Sequence, residues 1–124
     1  MRIWLLVAAL NGLAAVLAGA FAAHGLKARL TADMMAVFDT GARYHMAHAL
    51  AMGLAALAAR GRARPYAIAA ASLFLAGIVF FSGSIYLLAL TGAATWGLVT
   101  PLGGVAFLGG WAALAMTAWK LERS

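Results

Sequence analysis

"ARYHMAHALAMGLAALAA", residues 42–59, decides how often this chain is expected to cross a bilayer. It opens with an arginine, a tyrosine and two histidines, then runs apolar to Ala59. Taken alone it could be the inner face of a soluble helix. Its surroundings decide otherwise. Three further apolar blocks, Ile3–Ala23, Tyr66–Leu90 and Leu102–Trp119, flank it at close intervals. Each block approaches the ~20 residues that span a hydrocarbon core as helix.

Composition agrees. Of 124 residues, 66% are hydrophobic and 10% charged, too little charge to cover a soluble domain of this length. Four spans and their short connections use up residues 1–124. The expected fold is therefore all-α: a four-helix transmembrane bundle forming a single integral membrane domain, with spans of about 3–23, 42–59, 66–90 and 102–119. Arg2, the first apolar run and Ala20-Phe21-Ala22 also resemble a signal peptide. The run is longer than an ordinary signal core, so a retained span is expected.

Basic residues set the orientation. Arg2, Arg60, Arg62, Arg64, Lys120 and Arg123 fall on one side, and Lys27, Arg29 and Arg43 on the other. The excess predicts cytoplasmic N- and C-termini in a bacterial inner membrane. The net charge of +6 is thus explained by topology; the bases form no stripe suited to nucleic acid. Trp4, Tyr66 and Trp119 at inner ends, with Tyr44, Tyr86 and Trp96 near outer ends, fit interfacial belts.

The first connection, "GLKARLTADMMAVFDT" (25–40), carries its own signal. Leu26, Leu30, Met34, Val37 and Phe38 follow helical spacing, with Lys27, Thr31 and Asp39 off that face. A short amphipathic helix at the outer interface is expected between spans one and two. Thr31 is its N-cap and Asp33 sits in its first turn, facing the positive end of the helix dipole. Asp39 and Arg43, four apart, are placed to pair.

Lipid supplies no hydrophobic drive for helix association, so small residues must permit close contact. Ala15, Gly19 and Ala23 in span one, Ala47, Ala51, Ala55 and Ala59 in span two, and Ala106, Gly109, Gly110 and Ala113 in span four have that spacing. The same stripes build homo-oligomers or larger membrane complexes, so those and membrane lipids are the partners expected.

The polar residues converge. Span lengths put His48 and Ser84 each roughly 9 Å below the outer surface and Ser82 a little deeper, with His24 and Thr100 at the same end. Tyr44, His45 and His48 share helix faces by their three- and four-residue spacing. The candidate layer is His24, Tyr44, His45, His48, Ser82, Ser84 and Thr100, either pinning helices or holding a ligand. Ser82 or Ser84 is expected to satisfy His48. Asn11, buried in span one, is expected to bond to Ser72.

Catalytic chemistry is poorly served. His24, His45 and His48 offer three imidazoles, yet no carboxylate joins them and no HExxH is present. The only acids are Asp33, Asp39 and Glu122, so Ser82 and Ser84 lack an orienting carboxylate. The absence of cysteine removes thiolate and disulfide chemistry. No cofactor and no metal site are expected. A proton or quinone role for Tyr44 and His48 rests on intramembrane ionisable groups being often functional.

"AGAFAAHGLK" (18–27), "YHMAHALAMG" (44–53), "FFSGSIYLLALTG" (80–92) and "TPLGGVAFLGGW" (100–111) together resemble the small four-span membrane proteins of domain-of-unknown-function family 423. The resemblance covers nearly the whole chain. By position the family's motifs fall on His24, on Tyr44 and His48, on Ser82, Gly83, Ser84, Thr91 and Gly92, and on Thr100 through Gly104. His45 stands where the family typically carries another polar residue, often glutamine, which weakens the three-histidine metal set. The resemblance implies an inner-membrane protein without an assigned reaction.

Three functions follow. The first is a non-enzymatic accessory or assembly module. The second binds or transports a small apolar ligand, a quinone or lipid, at the polar layer. The third is a metal-dependent membrane enzyme.

Overall fold

The computed structural model describes residues 2–122; Arg123, counted above among the inner basic residues, lies outside them. It is helical almost throughout. Helix α1 spans Arg2–Phe21 and ends in a π turn, Ala22–Leu26. Helix α2 spans Ala32–Leu57. Helices α3 (Arg64–Gly77) and α4 (Gly83–Thr91) are joined by a π segment, Ile78–Ser82, and α5 spans Thr100–Glu122.

The boundaries have local causes. Thr31 adopts extended backbone, and its hydroxyl accepts the Met34 N–H at 3.2 Å, with Asp33 in the first turn as expected. Gly61, at φ 54°, turns the chain between α2 and α3, and Pro65 follows in the first turn of α3, where its missing N–H costs nothing. Gly92, at φ 71°, ends α4 in the left-handed conformation, its N–H donating to the Leu88 carbonyl.

Among the described residues three stretches are long and apolar enough to cross a membrane by length and composition: Arg2–Leu26, Gly61–Thr91 and Ala94–Leu121. Helix α2 is long enough at 26 residues, but Asp39, Arg43, His45 and His48 lower its hydropathy.

One expectation is corrected here. No separate interfacial helix precedes span two, because residues 32–57 form a single helix. Nothing between Thr31 and Leu57 breaks it. The predicted apolar face is real, yet it packs inward. Phe38 is buried against Ala22, Leu26 and Ala89, and its ring lies 4.8 Å from that of Tyr86. Asp39 and Arg43 pair at 2.7 Å on the exposed side.

Helix α1 packs on α2, α2 on α3 and α4, and α5 on α3. The main core gathers Ala51, Met52, Ala55, Ala70, Ala71 and Phe74 with Ile78 and Phe107. The predicted stripe of span two is present at Ala51, Ala55 and Ala59, all buried, whereas Ala47 is exposed. In span one Ala15 is buried, but Gly19 faces open space and Ala23 is exposed. Helix α5 meets the backbone of the π segment closely, where a Cβ on Gly103 would come within 2.2 Å of the Phe81 backbone nitrogen. Only glycine fits there.

Candidate functional site

His45 and His48 lie one turn apart, near the middle of α2, and both are buried, at 7% and 5% exposure. Two sets of partners converge on them, and the chemistry of each partner fixes where the protons sit.

Asn11 donates its amide N–H to the Val7 carbonyl at 2.9 Å, which turns its oxygen toward His45. That oxygen only accepts, so His45 Nε2 carries the proton and donates to Asn11 Oδ1 at 3.1 Å. Nδ1 of His45 is then an acceptor, taking the hydroxyl proton of Tyr86 at 3.0 Å. One imidazole thereby ties α1, α2 and α4 together.

His48 has the opposite arrangement. The Trp111 indole N–H can only donate, and it donates to His48 Nε2 at 3.1 Å. Nδ1 therefore bears the proton and donates to the Tyr44 carbonyl at 2.7 Å. The ring also stacks on Phe107, with centroids 3.6 Å apart and planes within 9°. Phe107 reaches that position over Gly77, where any Cβ would strike its ring at 2.1 Å. Tyr44 stacks on the same histidine at 5.8 Å and stays 45% exposed. Trp111 meets Phe74 edge-on at 5.1 Å.

The serines serve other contacts. Ser82 is fully buried and donates to the Gly41 carbonyl at 2.8 Å, linking the π segment to α2. Ser84 bonds to the Phe81 carbonyl at 2.9 Å and to the Thr100 hydroxyl at 2.6 Å, linking α4 to α5. Neither touches His48, contrary to expectation. Ser72 is exposed and bonds back to the Ile68 carbonyl, so its expected pairing with Asn11 does not form. His24 is exposed in the π turn after α1 and joins none of these bonds. Among the described residues no three of His, Cys, Asp and Glu stand together in a metal-holding group, so the three-imidazole set is not assembled.

Four participants were not singled out as site residues from sequence: Asn11 as a histidine partner, Tyr86, Phe107 and Trp111. Tyr86 was assigned to an interfacial belt, but its hydroxyl points to His45. A usable signal existed for Trp111, because its indole is the one aromatic donor midway along span four.

Beside this network lies a cleft of about 630 Å³. Asn11, His45, Ser84 and Tyr86 are among the residues that line it, with the aromatic residues Phe80 and Trp96. A smaller apolar cleft of about 230 Å³ separates α1 from α2 near Gly12 and Gly53.

Comparison with known proteins places the chain among membrane proteins of unknown function. The family model described as "Protein of unknown function (DUF423)" matches residues 18–104. The UPF0382 membrane protein YwdK of Bacillus subtilis (strain 168) is 40% identical over 121 residues, covering 97% of this chain and 98% of that protein. The UPF0382 inner membrane protein YgdD of Escherichia coli (strain K12) is 42% identical over 123 residues, covering 98% of this chain and 93% of that protein. No solved structure matches the chain. Matched along nearly its whole length by such relatives, and over most of it by the family model, the chain belongs to the DUF423 family.

Proposed function

We propose that this protein is a four-span, non-enzymatic module of the bacterial inner membrane, working as an accessory or assembly partner with both termini in the cytoplasm. The observation that carries the reading is the use made of the two histidines. All four ring nitrogens of His45 and His48 are spent on hydrogen bonds within the protein. Among the described residues no buried side-chain nitrogen or oxygen lacks a partner. A general base or nucleophile needs a free lone pair aimed at a substrate, and these rings offer none.

The same bookkeeping supports a crossing by α2. Its two histidines are buried against other helices, so their polarity is not presented to acyl chains. Its 26 residues rise roughly 39 Å, enough for a bilayer core of ~30 Å. Arg60, Arg62, Arg64 and Lys120 then share the inner side with Arg2. The names of YwdK and YgdD, a membrane and an inner membrane protein, support the same location for this chain.

Native mass spectrometry after gentle extraction tests the assembly role. A self-assembled or hetero-complexed species is expected. A strict monomer under every mild condition would overturn it.

A further inference from the structure

The cleft beside His45 has a chemical character of its own, and a role in assembly does not account for it. Its volume, about 630 Å³, falls among small-molecule sites, which run from roughly 300 to 1,000 Å³. No Asp, Glu, Lys or Arg lines it. A charged ligand group would enter uncompensated, so the occupant is neutral.

Two polar groups at the inner end retain capacity. Tyr86 donates its proton to His45, which leaves the lone pairs of Oη able to accept. Asn11 has two amide hydrogens and spends one on Val7, which leaves one N–H to donate. A single ring hydroxyl, accepting from Asn11 and donating to Tyr86, answers this pair, whereas a carbonyl answers Asn11 alone. A bare acyl chain would leave both unanswered.

The walls favour a flat ring. Trp96, Phe80 and Tyr86 bound the space, and aromatic faces pack best against planar groups. Val79, Phe80 and Leu87 at its margin are exposed, so a chain attached to the ring has a way out into lipid. The π segment Ile78–Ser82 supplies three wall residues, and single π turns inside helices recur at functional sites.

We infer that this cleft binds the ring of a neutral prenylated quinol, its hydroxyl accepting from Asn11 and donating to Tyr86 and its isoprenoid chain in the acyl layer. The inference goes beyond the assembly role and does not depend on it. It concerns binding alone.

The test uses the full chain in phosphatidylcholine nanodiscs with a photoreactive azidoquinol kept reduced without oxygen, its attachment mapped by mass spectrometry. Saturable labelling within residues 78–99, displaced by decylubiquinol and not by geranylgeraniol, is expected. Displacement by geranylgeraniol as readily as by decylubiquinol would mean that a prenyl alcohol chain, not a quinol ring, is recognised, and would overturn the inference. So would unsaturable labelling. Gly83→Leu extends into the cleft from a position whose Cβ meets nothing closer than the Ile78 carbonyl at 3.8 Å. It should abolish saturable labelling while thermal unfolding stays cooperative. Tyr86→Phe should weaken decylubiquinol competition by about tenfold, the equivalent of one hydrogen bond. Wild-type labelling in both variants would also sink the inference, and the wild-type competition needs no variant to be decisive.

Discussion

His45 and His48, one turn apart on the same helix, hold opposite tautomers: His45 is protonated on Nε2 and His48 on Nδ1. Neither assignment is free. Asn11 Oδ1 and the Tyr44 carbonyl can only accept, while the Trp111 indole can only donate. Two neutral imidazoles thus reach three helices besides their own, and each would lose a bond if its proton moved to the other nitrogen.

Removing one partner should cost more than a surface change. Asn11→Ala leaves the His45 Nε2–H without an acceptor in a buried site, at about 1–3 kcal/mol. The matched Asn11→Ala, His45→Ala double variant should lose less than the sum of the two single losses, because each single change removes the same bond. Unfolding in detergent followed by far-UV circular dichroism reads this directly. Strict additivity would mean that the two side chains do not interact.

On the other side of the helix, Trp111→Phe keeps an aromatic ring against Phe74 but deletes the donor to His48. A loss of about 1 kcal/mol is expected. His48→Ala removes the same bond and the stack on Phe107, and should cost roughly 1–2 kcal/mol or more. Equal melting temperatures for wild type and His48→Ala would contradict the role of this ring as a helix tie.

Glycines separate into two groups that composition alone cannot distinguish. At Gly103 an added Cβ would press on the Phe81 backbone, whereas at Gly19 it would meet nothing within 4 Å. Gly103→Ala should destabilise by at least about 1–3 kcal/mol, the usual cost of overpacking. Gly19→Ala should be neutral or slightly stabilising, since alanine is the better helix former. A comparison of the two variants in one thermal assay settles the matter, and equal effects would count against the close contact of α5 with the π segment.

The crossing by α2 can be checked from its ends. The chain has no native cysteine, so Lys27→Cys and Arg62→Cys each introduce a single, exposed thiol. A membrane-impermeant maleimide applied to spheroplasts should label Lys27→Cys and spare Arg62→Cys. Labelling of both, or of neither, would put the two ends of α2 on one side.

Features set within one helix were legible from sequence. Thr31 as N-cap, the pairing of Asp39 with Arg43 and the buried stripe at Ala51, Ala55 and Ala59 depend only on spacing along one segment. Contacts between helices were not, because they depend on rotation and relative height. Hydropathy starts span two at Ala42, whereas its helix starts at Ala32, so His45 lies near the helix middle and level with Asn11. The π segment had a similar effect. An extra residue within a helical turn rotates everything after it by about 100° relative to a regular helix. Similar depth therefore does not make the serines partners of His48: Ser82 turns to Gly41 and Ser84 to Thr100.

The central claim is that both histidines are neutral ties between helices, each locked in one tautomer by its partners. Nitrogen-15 NMR of histidine-labelled protein in lipid bilayers reads each ring nitrogen as protonated or bare. The account predicts a proton on Nε2 of His45 and on Nδ1 of His48 at neutral pH. A shared tautomer for His45 and His48, or rapid averaging between forms at either one, would contradict it.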